Sequence, residues 1–238
     1  MTVIAATTLA AFVMDDPDTW GAWLYPAEQV IDDGQDVQWF AALEVDARGL
    51  DPFAPLLDRF AQLDAHAGRP VCHWWTYMLD DGRTEVTTGN RLRHITMGQN
   101  LATDYTLAAG ASHLLFLAAD LEPPHDAVPR LLEVDWPLVG GHVPTYCLDG
   151  PPVGGYPFPV HQHMATAAFV LIARPLLRFV RWRWDVDAGM SDDPCLHHDA
   201  AKFHGIETRV RHDVVGRHHP EAIGPVETRG HDMTVVRP

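Results

Sequence analysis

Ser112-His-Leu-Leu-Phe-Leu-Ala-Ala-Asp-Leu-Glu-Pro-Pro124 is the stretch that decides how this chain is read. His113 to Leu117 is a short apolar run bounded by polar and turn residues, the pattern of a buried strand. The run stops at Asp120 and Glu122, and Pro123-Pro124 forbids further ladder pairing. In an α/β chain, carboxylates just past the C-terminal end of a strand sit where open sheets bind ligands. A pair of them suits a divalent cation carrying a phosphate, because hard cations take oxygen ligands.

Working outward, strands are predicted at Val3–Ala6, Trp39–Val45 and Val71–Tyr77, the last closed by the Asp80-Asp81-Gly82 turn signal. Between the second and third, residues 51–67 have helical spacing, with Phe53, Leu56, Leu57, Phe60 and Leu63 on one face and Pro52 near the start. A helix over 100–111 leads into the His113 strand, and a helix over 125–133 and a strand over 137–140 follow it. The pattern then predicts a strand over 166–173, a short helix over 175–180, a helix over 194–204 and a last strand over 208–215. Ser191-Asp192-Asp193 opens the 194–204 helix, with acids where a helix N-terminus favours them. Six prolines and glycines within residues 150–157 mark a loop of functional length, and an irregular tail is expected from about Pro220. Strands alternating with helices argue for a mostly parallel α/β sheet in a single domain.

The formal charge of −15 opposes nucleic-acid and anionic-membrane partners, which would repel the chain. Cys72, Cys147 and Cys195 are odd in number and widely spaced without a CxxC, so they read as free thiols and not as a disulfide frame or zinc site. The apolar segment from Val3 to Val13 lacks a basic flank and runs directly into Asp15-Asp16-Pro17-Asp18, so it reads as a first strand and not as a signal peptide. No apolar run approaches the ~20 residues of a membrane span. The expectation is a cytoplasmic protein with a homo-oligomer left open.

The segment ending at Asp120 resembles the metal-binding segment of glycosyltransferases with the GT-A fold, especially family-2-like members, in which an Asp-x-Asp precedes a Pro-Pro pair. A helix and a strand ending Leu138-Val-Gly-Gly141 follow it in the same order. The resemblance implies a GT-A-type domain over residues 1–220, with a mostly parallel Rossmann-like central sheet flanked by helices. Residues 1–120 would form a nucleotide-binding half, residues 121–220 an acceptor and catalytic half, and 221–238 the tail. Ala118 stands where the family has its first aspartate, and Asp120 matches the second.

The implied activity moves a sugar from a nucleotide-diphosphate donor to an acceptor hydroxyl of a glycan, protein or small molecule, assisted by Mn²⁺ or Mg²⁺. Asp120, Glu122 and His218 are the implied metal ligands, with His219 as the other register of Val214-Val-Gly-Arg-His-His-Pro220. Asp192-Asp193 matches the family's acidic pair at a helix start, which in an inverting member makes Asp193 the base that a weakly nucleophilic sugar hydroxyl needs and in a retaining one a residue that orients donor or acceptor. Thr7, Asp46, Arg93, Asn100, Ala118 and Asp120 are the implied donor-binding positions. Arg93 is suited to a diphosphate by its bidentate fork, and Asn100 by a helix N-terminus. Gly154-Gly155 would close over the donor.

The aromatic and polar residues His161, Gln162, His163, Trp182 and Trp184 suit sugar faces, although tryptophans as often anchor a core. His197, His198, Asp199 and His204 suggest zinc, but helical geometry turns His198 about 100° from its neighbour. No P-loop or GxGxxG is present, which argues against kinases and dehydrogenases. A sugar-phosphate nucleotidyltransferase and a catalytically silent nucleotide-sugar-binding relative are the rival readings. The first lacks its Gly-rich loop here, whereas Ala118 and Asp192 motivate the second.

Overall fold

The computed structural model describes residues 1–11, 14, 20–78, 88–143, 168–185 and 192–218, with the backbone alone at 88–92 and 218. The Asp80-Asp81-Gly82 turn, the Gly/Pro loop with Gly154-Gly155, His161 to His163, Cys147, Ser191, His219 and the tail lie outside the described residues. The elements, in chain order, are β1 (Val3–Ala10), α1 (Ala27–Asp32), β2 (Val37–Glu44), α2 (Ala54–Ala67), β3 (Cys72–Tyr77), α3 (Thr88–Ala108), β4 (His113–Leu117), β5 (Leu121–Glu122), α4 (Ala127–Leu132), β6 (Leu138–His142), β7 (Phe169–Ala173), α5 (Arg174–Leu177), α6 (Asp192–His204), β8 (Arg209–Val215) and β9 (Arg217–His218).

The main sheet has the order β3-β2-β1-β4-β7-β6-β8. β1 pairs parallel with β2 and β4, β2 with β3, and β6 with β8; β7 alone runs antiparallel, between β4 and β6. The architecture is therefore α/β with a mostly parallel sheet flanked by helices. Central strands buried on both faces read as continuous apolar runs, which is why Phe40-Ala-Ala-Leu43 and Leu114-Leu-Phe-Leu117 lack alternation.

Two cores sandwich the sheet. One holds Trp23, Trp39, Phe53, Leu56, Phe60 and Leu63, packed from α1, α2 and the opposite sheet face. The α2 stripe matches its 3.6-residue spacing, and Gly68 ends the helix in the left-handed region with its N–H bonded to Ala65 O. The other core holds Phe40, Phe116, Leu176, Leu177, Trp182 and Leu196, beneath α3, α5 and α6.

Four elements depart from the sequence reading. α1 was not anticipated. α3 starts at Thr88, twelve residues before the predicted boundary, because Gly98 and the β-branched Thr88 and Thr96 weaken the local helical signal that tertiary packing restores. β5 and β9 form a separate two-stranded ladder too short to leave a periodic signature. Among the described residues, no helix is long and apolar enough to cross a membrane.

Candidate functional site

Six strands run in the same direction, so Ala10, Glu44, Tyr77, Leu117, His142 and Val215 all end at one edge of the sheet. From β1 the chain proceeds through α1 and α2 to β2 and β3 on one side, then returns through α3 to β4 on the other side. Strand order thus reverses between β1 and β4, and open α/β sheets bind ligands in the crevice outside the carboxyl ends at such a reversal.

Thr7 lies in β1 beside the end of β4. It is fully buried, and its hydroxyl donates to Leu117 O at 2.7 Å. β1 continues three residues past Thr7 to Ala10, so Thr7 locks β1 to the end of β4 and is not a strand-end side chain. Beyond Leu117 the chain turns. Ala118 N–H donates to Ala168 O at 2.9 Å, and Leu121 N–H closes back on Ala118 O at 3.1 Å. Ala118, Ala119 and Asp120 are partly exposed on that turn.

Glu122 follows in β5, whose ladder with β9 sets Leu121 opposite His218 and Glu122 opposite Arg217. Gly216 permits this approach, since a Cβ there would lie 2.9 Å from Phe169 Cδ1 and 3.0 Å from Leu121 Cδ2. The fold therefore joins the backbone segments of Asp120-Glu122 and His218.

The other sequence-derived positions are distributed around the same edge. Asp46 follows β2 and is exposed, but it is engaged by Arg48, whose Nη2 donates to Oδ2 at 2.8 Å and whose backbone N–H donates to Oδ1 at 2.8 Å. The Arg48 hydrogen bond is the main cause that holds this carboxyl below its usual range. Arg93 is exposed on α3.

Asn100 lies inside α3, so no helix N-terminus exists there to receive a phosphate. Its amide instead makes a reciprocal pair with the Trp182 backbone, Nδ2 donating to Trp182 O at 2.9 Å and Trp182 N–H donating to Oδ1 at 3.1 Å. Trp182 is 3% exposed, bonds Thr103 Oγ1 through Nε1 and packs on Phe116, which makes it a core anchor and not a sugar platform. Trp184 is partly exposed.

Asp192 is the first residue of α6 and is buried, accepting a 2.7 Å hydrogen bond from Gln99 Nε2. Asp193, next in the first turn, is partly exposed. Gln99 and Asn100 thus hold α6 and the Trp182 segment from adjacent positions of α3, across 93 and 82 residues. Local sequence carried no signal for this pairing. Nor did it show that His94 Nδ1 of α3 contacts Glu44 Oε1 at the end of β2, or that Tyr77 donates its hydroxyl to His94 O at 3.0 Å. Burial, with Glu44 adding to it, raises the Tyr77 phenol above its usual range.

Among the described residues, no three His, Cys, Asp or Glu side chains gather in a metal-binding group. This removes the His197/His198/Asp199/His204 cluster. His197 Nδ1 contacts Thr208 Oγ1 at 2.5 Å, and Asp199 is gripped by Arg183 through Nε and Nη2, both at 2.8 Å. Cys72 and Cys195 are buried free thiols, as their spacing suggested.

No family profile matches the chain, and no curated protein matches it. Among the solved structures that align, three show a loose likeness. The protein A197 from STIV is 13% identical, with TM-score 0.43, over 92% of this chain and 85% of that one. The galactosyltransferase LgtC, in complex with donor and acceptor sugar analogues, is 12% identical with TM-score 0.45; the alignment covers 74% of this chain and 60% of LgtC. A glycosyltransferase involved in glycosylation of the major capsid of PBCV-1 is 8% identical with TM-score 0.43, over 99% of this chain and 100% of that one. Two of these neighbours are glycosyltransferases by description, but the likeness is too loose to carry an argument about this chain.

Proposed function

We propose that the chain is a glycosyltransferase that moves a sugar from a nucleotide-diphosphate donor to an acceptor hydroxyl. The observation that carries this reading is the crevice where strand order reverses between β1 and β4, with Asp120 on the turn beyond β4 and the Arg217-His218 backbone laddered beside it. In this reading the donor diphosphate enters that crevice. Arg93 neutralises the charge that develops on the leaving diphosphate. Asp46 turns from Arg48 to the nucleoside, while Thr7 and Asn100 shape the site from beneath.

Asp193 takes the proton of the acceptor hydroxyl. The hydroxyl oxygen then bonds the anomeric carbon, and the bond to the diphosphate breaks with its electron pair leaving on the diphosphate oxygen. The Gln99–Asp192 hydrogen bond holds the α6 start from which Asp193 projects. Asp120, Glu122 and His218 are the residues proposed for Mn²⁺ or Mg²⁺. The described donors do not assemble a three-ligand centre, so the ion carries no step here.

A second reading, a nucleotide-sugar-binding protein without transfer, is favoured by Ala118, which supplies no carboxylate beside Asp120. Thermal shift with UDP-, GDP- and dTDP-sugars, with and without Mn²⁺, followed by assays of donor hydrolysis and transfer, separates the two. A ligand at a hundredfold excess over Kd stabilises by about 2.7 kcal/mol. Asp120→Ala should abolish the Mn²⁺-dependent part of the shift. Binding without turnover favours the silent reading, and absence of a shift with every nucleotide sugar refutes both.

A further inference from the structure

The two edges of the main sheet differ in chemistry. β8 carries Arg209, Arg211 and Asp213, with Arg209 over the Trp136 ring at 3.9 Å and Arg211 paired to Asp213 and Glu133. Charges on an edge strand are the usual protection against pairing with another chain. β3, at the opposite edge, reads Cys72-His-Trp-Trp-Thr-Tyr77 and has no Lys, Arg, Asp, Glu or Pro. Trp74 and Trp75 are each 39% exposed, and Thr76 is exposed between them and Tyr77.

The ladder with β2 fixes which backbone groups point outward. Trp39 N–H donates to Val71 O at 2.7 Å, and Val45 N–H donates to Tyr77 O at 3.0 Å. With Trp39 in register with Cys72, the odd-numbered residues of β3 face β2, and Cys72, Trp74 and Thr76 turn N–H and C=O to the edge. Asp64 of α2 covers the first of these, accepting from Cys72 N–H at 2.9 Å. Trp74 and Thr76 remain open among the described residues.

We propose that β3 is a homodimer interface, where a second copy of this chain adds its own β3 antiparallel, about a twofold axis perpendicular to the sheet. Such an axis keeps each face of the sheet on its own side, so it passes through a single residue position. A register centred on Trp74 would drive the partner's Thr76 against the Asp64-capped Cys72. The register centred on Trp75 uses the open groups only. Trp74 of each copy exchanges both backbone bonds with Thr76 of the other, about four in all, and the two Trp75 rings meet as a closely spaced pair on the α3 face.

Trp75 is already supported there by edge contacts to Phe40 and Tyr105, at ring separations of 5.6 and 5.4 Å. Charge selects the same surface: two chains of formal charge −15 repel, and they approach most easily through uncharged strands. At 39% exposure, each tryptophan offers about 60–100 Å² of its roughly 150–250 Å². Four rings contribute about 240–400 Å², which with the strand edges makes a small interface of the weak, transient class.

Sedimentation velocity on the full chain from about 1 to 100 µM should show monomer converting to dimer. Thr76→Pro, which deletes an outward donor on an edge strand that tolerates proline, should raise the dissociation constant at least tenfold while circular dichroism remains unchanged. If that variant fails to fold, oxidative cross-linking decides. Trp75→Cys should give an intermolecular disulfide between the two introduced thiols, and Trp74→Cys, set opposite Thr76, should not. A monomer throughout the concentration range, a dimer indifferent to Thr76→Pro in a folded variant, or equal cross-linking from both cysteines would overturn the proposal.

Discussion

Gly98 lies where α3 crosses the C-terminal end of β1, and replacing it with alanine tests whether that crossing positions the site. A Cβ at Gly98 would lie 2.9 Å from Thr8 Cβ, closer still to Thr8 Cγ2, and 3.0 Å from the Tyr77 hydroxyl oxygen. Comfortable carbon contacts begin near 3.5 Å, so α3 or the sheet must yield by more than about 0.5 Å. Thr8 cannot give way by rotation, because a β-branched side chain on a strand is stiff at χ1. Overpacking of this kind costs about 1–3 kcal/mol. Alanine in place of glycine inside a helix returns about 0.8–1.0 kcal/mol. The approach to Thr8 Cγ2, the closest of the three, puts the steric cost at the upper end of its range, leaving Gly98→Ala about 2 kcal/mol less stable.

For a chain of this length, each kcal/mol lowers Tm by about 2–4 °C. Urea denaturation and calorimetry measure the loss, and Thr8→Ala in the same chain should recover about 1 kcal/mol of it as a coupling energy. Because His94, Gln99 and Asn100 travel with α3, the same variant should weaken nucleotide-sugar binding. A Gly98→Ala protein as stable as the parent, or one that Thr8→Ala does not rescue, would refute the reasoning.

Gln99→Leu removes the donor to the buried Asp192 carboxylate and should cost about 1–3 kcal/mol in chemical denaturation, whereas Gln99→Asn should be milder. Gly141→Ala should destabilise the β6–β7 pairing by about 1–3 kcal/mol, since the added Cβ would sit 2.8 Å or less from the fully buried Phe169 ring. Acid should weaken the fold before the carboxylates titrate. Burial lowers the pKa of His73 and of His113 in the folded state, so the unfolded chain binds more protons below its ordinary value near 6.5. Stability present above that value is lost as pH falls through the folded pKa, and His113→Gln should flatten the profile between pH 7 and 5.

Where a segment's own pattern dictates its structure, the sequence was sufficient. The apolar His113–Leu117 run, the α2 stripe of Leu56, Phe60 and Leu63, and the position of Asp120 past a strand end all follow from periodicity and from prolines that stop a ladder. Sequence also marked Asp192 and Asp193 as the opening of a helix. It did not reveal what their neighbours would be. Thr7 read as a strand-end contact and became a buried tie to Leu117, and Asn100 read as a helix start and became a mid-helix clamp on Trp182.

Those outcomes rest on contacts 82 to 110 residues apart, which no local window encodes. The antiparallel insertion of β7 and the β5–β9 ladder are of the same kind. Both depend on Gly141 and Gly216, which let the backbone pack closely against Phe169. Sequence alone determined that this chain alternates strands with helices and sets acids at their ends. Only tertiary structure decided which acids meet, because long-range packing, and not local preference, selects the partners of strand edges and buried polar groups.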